Sequence, residues 1–170
     1  ISNVTIDNAK LDVKATGTGL QYVGALVGVN GDKALVSDCK AINTTITANM
    51  KNKSFIGGLI GSNDEPSIKK YVPEVLKSSF AGTMNITFNS TYSVDILSYV
   101  GGLVGYNSCL IEDSFSDVVM NINSTKTSSS SNDYKNYVGG LVGYAKVGNI
   151  SKSAAKADID YVSADVTDVY

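Results

Sequence analysis

Chemistry in this chain has to come from asparagine, hydroxyls, lysine and carboxylates, because its 170 residues contain no histidine, arginine or tryptophan. Seven Asn-x-Ser/Thr triplets without a central proline stand at Asn3, Asn43, Asn52, Asn85, Asn89, Asn123 and Asn149. That is more than 15 Asn and 33 Ser plus Thr would give by chance. The triplet is the acceptor of N-linked glycans in secreted proteins. In an extended strand the Asn and the hydroxyl two residues on share a face, and apolar alternation turns that face outward at Asn3, Asn43, Asn85 and Asn123. N-glycosylation of several is expected, with passage through a secretory pathway; the plain alternative is an unmodified polar β surface.

Other candidate groups are weaker. Glu112-Asp113 and Asp64-Glu65 are acid pairs of the type glycosidases use, but adjacent residues on a strand face opposite ways. Asp158, Asp160, Asp165 and Asp168 carry oxygen donors suited to calcium, yet the glycine-punctuated spacing of a calcium loop is missing, so they read as a solvated acidic face. No catalytic residue, metal ligand or cofactor-binding residue is assigned, and no enzyme activity is expected. All 14 basic residues are lysine and the net charge is -2, which excludes a nucleic-acid footprint. Cys39 and Cys109 fall two repeats apart, about 9 to 10 Å in a stacked coil, beyond the roughly 7 Å a disulfide spans. Two buried free thiols are expected.

The elements that position these groups are repeats. Glycine-rich nonamers occupy residues 22-30, 55-63, 99-107 and 137-145, as in Tyr99-Val100-Gly101-Gly102-Leu103-Val104-Gly105-Tyr106-Asn107. A second motif follows each, as in Ile111-Glu112-Asp113-Ser114-Phe115-Ser116, and also opens the chain at Ile1. Its fourth place marks positions 4, 39, 79, 114 and 153, separated by 35, 40, 35 and 39 residues. The third segment of each repeat alternates like a strand: Met84, Ile86 and Phe88 oppose Asn85, Thr87 and Asn89, and Ile42, Thr44 and Ile46 oppose Asn43, Thr45 and Thr47. Two polar stretches, 63-73 and 124-136, read as surface loops within the single domain 1-170.

Short amphipathic strands at this period bury their apolar faces only by stacking on one another. The fold class is therefore all-β, a parallel β-solenoid of about four to five rungs, right-handed by the default for parallel crossovers. Equivalent positions then form ladders: an aromatic one of Tyr22, Phe55, Tyr99 and Tyr137, expected to be structural, and an incomplete amide one of Asn30, Asn63 and Asn107. The glycines either turn corners with φ > 0 or let backbones approach closely, and the sequence leaves both open. The GxxxG spacings sit in nonamers far short of the roughly 20 residues of a membrane span. The chain opens at Ile1, so a secretory signal is expected to be removed already or to lie outside this segment.

The paired motifs, GGLVG followed by an ISxSxA-like strand, resemble the GLUG repeats of microbial surface proteins. Tyr99 to Asn107 and Tyr137 to Tyr144 match best, while Ala25 departs at the second glycine and Ile60 at the valine. The resemblance implies an extracellular β-helical stalk or adhesin and brings no catalytic residues to transfer. The expected function is a glycosylated structural segment of a surface stalk, adhesin or fibril. Its partners would be copies of itself end to end, or flanking repeats of a longer chain. The alternative is a carbohydrate- or protein-binding module accessory to a surface enzyme.

Overall fold

A strand with one apolar face needs a neighbouring layer, and here the layer is the rest of the same coil. In the computed structural model, which describes residues 1–17, 19–64, 72–90, 96–126 and 134–165, all regular structure is β-strand. The longest sheet stacks β1 (Thr5–Asp7) and β2 (Lys10–Lys14) on one level, then β6 (Lys40–Met50), β10 (Ser79–Ser90), β14 (Phe115–Lys126) and β18 (Ala154–Asp165). A second sheet holds β3 (Gln21–Val23), β7 (Ser54–Gly57), β11 (Ile96–Gly101) and β15 (Tyr134–Gly139). The third holds β4 (Val27–Asn30), β8 (Ile60–Asn63), β12 (Val104–Asn107) and β16 (Val142–Ala145). β5 (Leu35–Ser37), β9 (Glu74–Leu76), β13 (Leu110–Glu112) and β17 (Ile150–Ser151) form the fourth. Every pairing is parallel, so the backbone hydrogen bonds between turns run along the coil axis. The chain is a β-solenoid of four turns followed by a fifth long strand.

The core lies in the middle of the coil. Phe80, Met84, Ile86 and Phe88 point inward from β10, with Ile46 and Met50 below and Met120 and Ile122 above. Ile56, Leu59, Val100, Leu103, Val75 and Ile111 close on them from the other three sides. The end turns are open. Ile159 and Tyr161 continue the Met120 and Ile122 columns yet remain 40 % and 42 % exposed, and Leu11 and Val13 at the other end are half-buried.

The glycines serve close approach. Gly148 alone among them carries positive φ. A Cβ on Gly102 would overlap the Gly140 carbonyl of the next turn and the Val118 side chain, and one on Gly105 would meet the Ile56 backbone and the Gly61 carbonyl of the turn below. A Cβ on Gly58 would meet the Gly102 carbonyl of the next turn and the Phe80 ring, and in the first turn Ala41 is the register partner of Phe80.

The corners instead use non-glycine residues in the left-handed region. Asn3, Asp38, Lys77, Asp113 and Lys152 have φ between 47° and 58° and precede the long strands. This places the repeat marker at Ser78 rather than Ser79, since Lys40 pairs with Ser79 and Phe115 pairs with Ser79 in turn. The true column is Val4, Cys39, Ser78, Ser114 and Ser153. Ser78 and Ser114 Oγ accept the amides of Cys39 and Ser78 at 3.2 Å, and Ser153 Oγ accepts that of Ser114 at 3.1 Å.

Two further details differ from the sequence reading. Simple alternation fails at Ile42 and Asn43, where β6 bulges: Ala41 and Thr44 are both inward and fully buried, and Asn43 has φ 50°. The loop margins are also narrower, because Asn63 ends β8 and is buried, while Ser124 to Lys126 and Tyr134 to Asn136 are strand.

Candidate functional site

The long strands place a polar array on the outside of the largest sheet. One outward column runs Lys10, Thr45, Thr83, Val119, Asp158; the next Asp12, Thr47, Asn85, Asn121, Asp160; a third Lys14, Asn49, Thr87, Asn123, Val162. Charges therefore stand at the two ends of each of the first two columns, and across β6, β10 and β14 the columns present hydroxyls and amides with one valine. Asn121 Nδ2 donates to Asn85 Oδ1 at 2.8 Å, which fixes both amides one strand apart. Two furrows cross this surface. One of about 310 Å³ is lined by Asn85, Thr87, Asn121, Asn123, Asp160 and the exposed Val162, and one of about 400 Å³ by Asn43, Thr45, Ala81, Thr83, Asp117 and the exposed Val119.

The seven acceptor asparagines are spread over the coil rather than gathered. Asn3 is exposed at a left-handed corner; Asn43 is exposed on the bulge, its amide donating to Asp7 Oδ1 at 3.0 Å. Asn85 is half-buried and Asn123 exposed, both on the polar array. Asn89 and Asn149 are exposed. Asn52 is only 8 % exposed and its amide donates to the Gly17 carbonyl, so in the folded chain its nitrogen is already engaged. Its burial escapes the triplet pattern, because Asn52 lies in a corner between β6 and β7 where no alternation signals direction.

On the glycine side the outward groups are aromatic. Tyr22 stacks on Phe55 with ring centroids 4.8 Å apart and Tyr99 on Tyr137 at 5.4 Å, while Phe55 meets Tyr99 at 5.3 Å with the rings tilted by 38°. Tyr106 and Tyr144 form a parallel stack at 5.8 Å, and Lys53 Nζ lies 5.3 Å from the Phe55 ring centre. These rings cover one another's faces, so Phe55 and Tyr99 are each 6 % exposed and present edges rather than platforms for a sugar. Burial first, then the nearby Asp64 carboxylate, pushes the Tyr106 hydroxyl up to about 12. Burial likewise raises Tyr99, followed by its neighbours Tyr144 and Tyr137.

The amide ladder runs inside the adjacent corner and has a direction. Asn30 Nδ2 donates to Asn63 Oδ1 at 2.9 Å, Asn63 Nδ2 to Asn107 Oδ1 at 2.7 Å, and Asn107 Nδ2 to the Cys109 carbonyl at 2.8 Å. It stops at Ala145, the register partner of Asn107.

Acids and thiols are accounted for locally. A hydrogen bond from Lys152 at 2.9 Å, reinforced by its charge, holds the half-buried Glu112 carboxyl below its usual range and raises Lys152 in return. Glu65 and Asp168 lie outside the described residues, and among the described residues no group of three or more metal-binding side chains occurs. Cys39 and Cys109 are buried free thiols; Cys39 takes the serine place of the hydroxyl column and donates to the Ser37 carbonyl at 3.1 Å.

Comparison with known families turns on the segment running from the corner before β3 into β6. Residues 19–47 match the family model described as the GLUG motif. The chain carries a GLUG motif. Its later turns place β7–β8, β11–β12 and β15–β16 in the same register as β3–β4. The matched segment covers β3, β4, β5 and most of β6, less than one full turn of the coil. No curated protein and no solved structure matches the chain.

Proposed function

We propose that this chain is an extracellular structural module, a GLUG coil that serves as a segment of a surface stalk, adhesin or fibril and carries N-linked glycans. The observation that supports this reading most is continuity. Aromatic, amide and hydroxyl columns run from turn to turn along the axis, and the end turns leave inward apolar groups half-exposed. A coil of this kind gains its stability from neighbour-on-neighbour stacking and functions as a rod.

The same columns give no general base, nucleophile pair or metal centre, and the module is proposed to act without catalysis.

Glycans belong at Asn3 and Asn149, which are exposed at corners, away from the long-strand face. Glycopeptide mass spectrometry of natural material tests this: those sites are expected to be occupied and Asn52 bare. Seven unmodified asparagines would remove the glycoprotein part of the reading. Electron microscopy tests the rod, which isolated globular particles with covered ends would refute.

A further inference from the structure

We infer that the outer face of the long-strand sheet is a binding surface for a neutral polysaccharide chain. From Thr45, Thr83 and Val119 onward, ten of the eleven outward positions on β6, β10 and β14 are threonine or asparagine. Each of those side chains both donates and accepts hydrogen bonds. None is ionised and none is aromatic. A nucleic acid or a sulfated glycan requires clustered cations, which the face lacks. A protein partner requires an apolar or aromatic anchor at the centre of its interface, and a lipid surface requires apolar and basic groups together. An uncharged ligand rich in hydroxyls satisfies the array without leaving charge unpaired.

The surface is shaped and held for such a ligand. Both furrows lie on this face and fall within the size range of small-molecule subsites, about 300 to 1,000 Å³. In the first, the Asn121–Asn85 hydrogen bond at 2.8 Å holds the two amides in place, and the Asp160 carboxylate adds an acceptor for sugar hydroxyls. In the second, small Ala81 makes the depression and Thr45 and Thr83 flank it. The side chains stand on strands in fixed parallel register, so little ordering is left for the ligand to impose. Two subsites on one rigid face suit an extended chain better than a single sugar.

The test is affinity electrophoresis of the intact chain in gels containing a glucan, a mannan or an N-acetylglucosamine polymer, with heparin and polygalacturonate as charged counterparts. At least one neutral polymer is expected to retard migration and neither charged polymer to do so. Asn121→Ala and Thr83→Val, each with an unchanged urea midpoint, are expected to weaken that retardation about five- to tenfold. The proposal is overturned if no neutral polymer retards the chain, if the charged polymers do so equally, or if both variants bind like the parent. A glycan attached at Asn123 in the natural protein, which would fill the first furrow, overturns it as well.

Discussion

The glycine side of each turn and the long-strand side solve opposite packing problems. On the glycine side, β11 and β12 approach the turns above and below so closely that Gly102 and Gly105 have no room for a side chain, and the bulky groups are pushed outward as stacked rings. On the long-strand side, β10 turns Phe80, Met84 and Phe88 into the core and, from Thr83 onward, leaves Thr and Asn outside. One side is specified by backbone contact, the other by side-chain volume. The difference teaches where the coil resists change: a single added methyl on the first should cost as much as several removed from the second.

The largest expected effect follows directly. Gly102→Ala puts a methyl on the Gly140 carbonyl and is expected to destabilise by about 4 kcal/mol or more, or to prevent folding, in urea denaturation. Gly19→Ala, with nothing near its added carbon, should change stability by less than about 1 kcal/mol. Equal effects would break the contrast. Met84→Ala, on the opposite wall, leaves a cavity and is expected to cost about 2 to 4 kcal/mol.

Asn63→Ala should cost about 1 to 2 kcal/mol by the same assay, because it removes both amide bonds at the middle of a buried ladder and leaves Asn30 Nδ2 and Asn107 Oδ1 with longer contacts, to the Glu74 carbonyl and the Cys109 amide. The smallest effect is titratable. Tyr106 has its ionisation raised to about 12, so the stability it contributes is complete below pH 10 and is lost as pH rises toward 12. An ultraviolet phenolate titration should show one tyrosine ionising last, and Tyr106→Phe should remove that step; a last step that persists in the variant would place it elsewhere.

The solenoid was legible because its signals are periodic. Four nonamers fixed the turns, and Tyr22, Phe55, Tyr99 and Tyr137 fixed the register of the second sheet, as the pairing of Tyr99 with Phe55 and Tyr137 shows. Where periodicity gives out, reading from sequence slips. Ser78 and Ser79 are adjacent identical residues, and only the left-handed Lys77 decides which enters the hydroxyl column. Lysine gives no hint of that conformation, whereas asparagine or aspartate at Asn3, Asp38 and Asp113 does. The bulge at Asn43 was hidden for a related reason, since alternating types continue straight through it. The role of the motif glycines needed coordinates, because both a corner and a close approach call for the same residue. The polar face was visible as alternating Asn and Thr, but its furrows depend on which columns stand side by side, and that is a property of the stack.

The hydrogen bonds between turns run parallel to the coil axis, and this has a mechanical consequence. Tension applied to the two ends of the chain pulls along those bonds, and each turn is tied only to its immediate neighbours. Extension therefore proceeds by peeling turns one at a time from an end. The corner residues at 3, 38, 77, 113 and 152 set each increment at 35, 39, 36 and 39 residues. Each release lengthens the chain by roughly 120 to 140 Å at about 3.5 Å per residue. The molecule is expected to yield in steps of near-equal length, which single-molecule extension would record as evenly spaced releases.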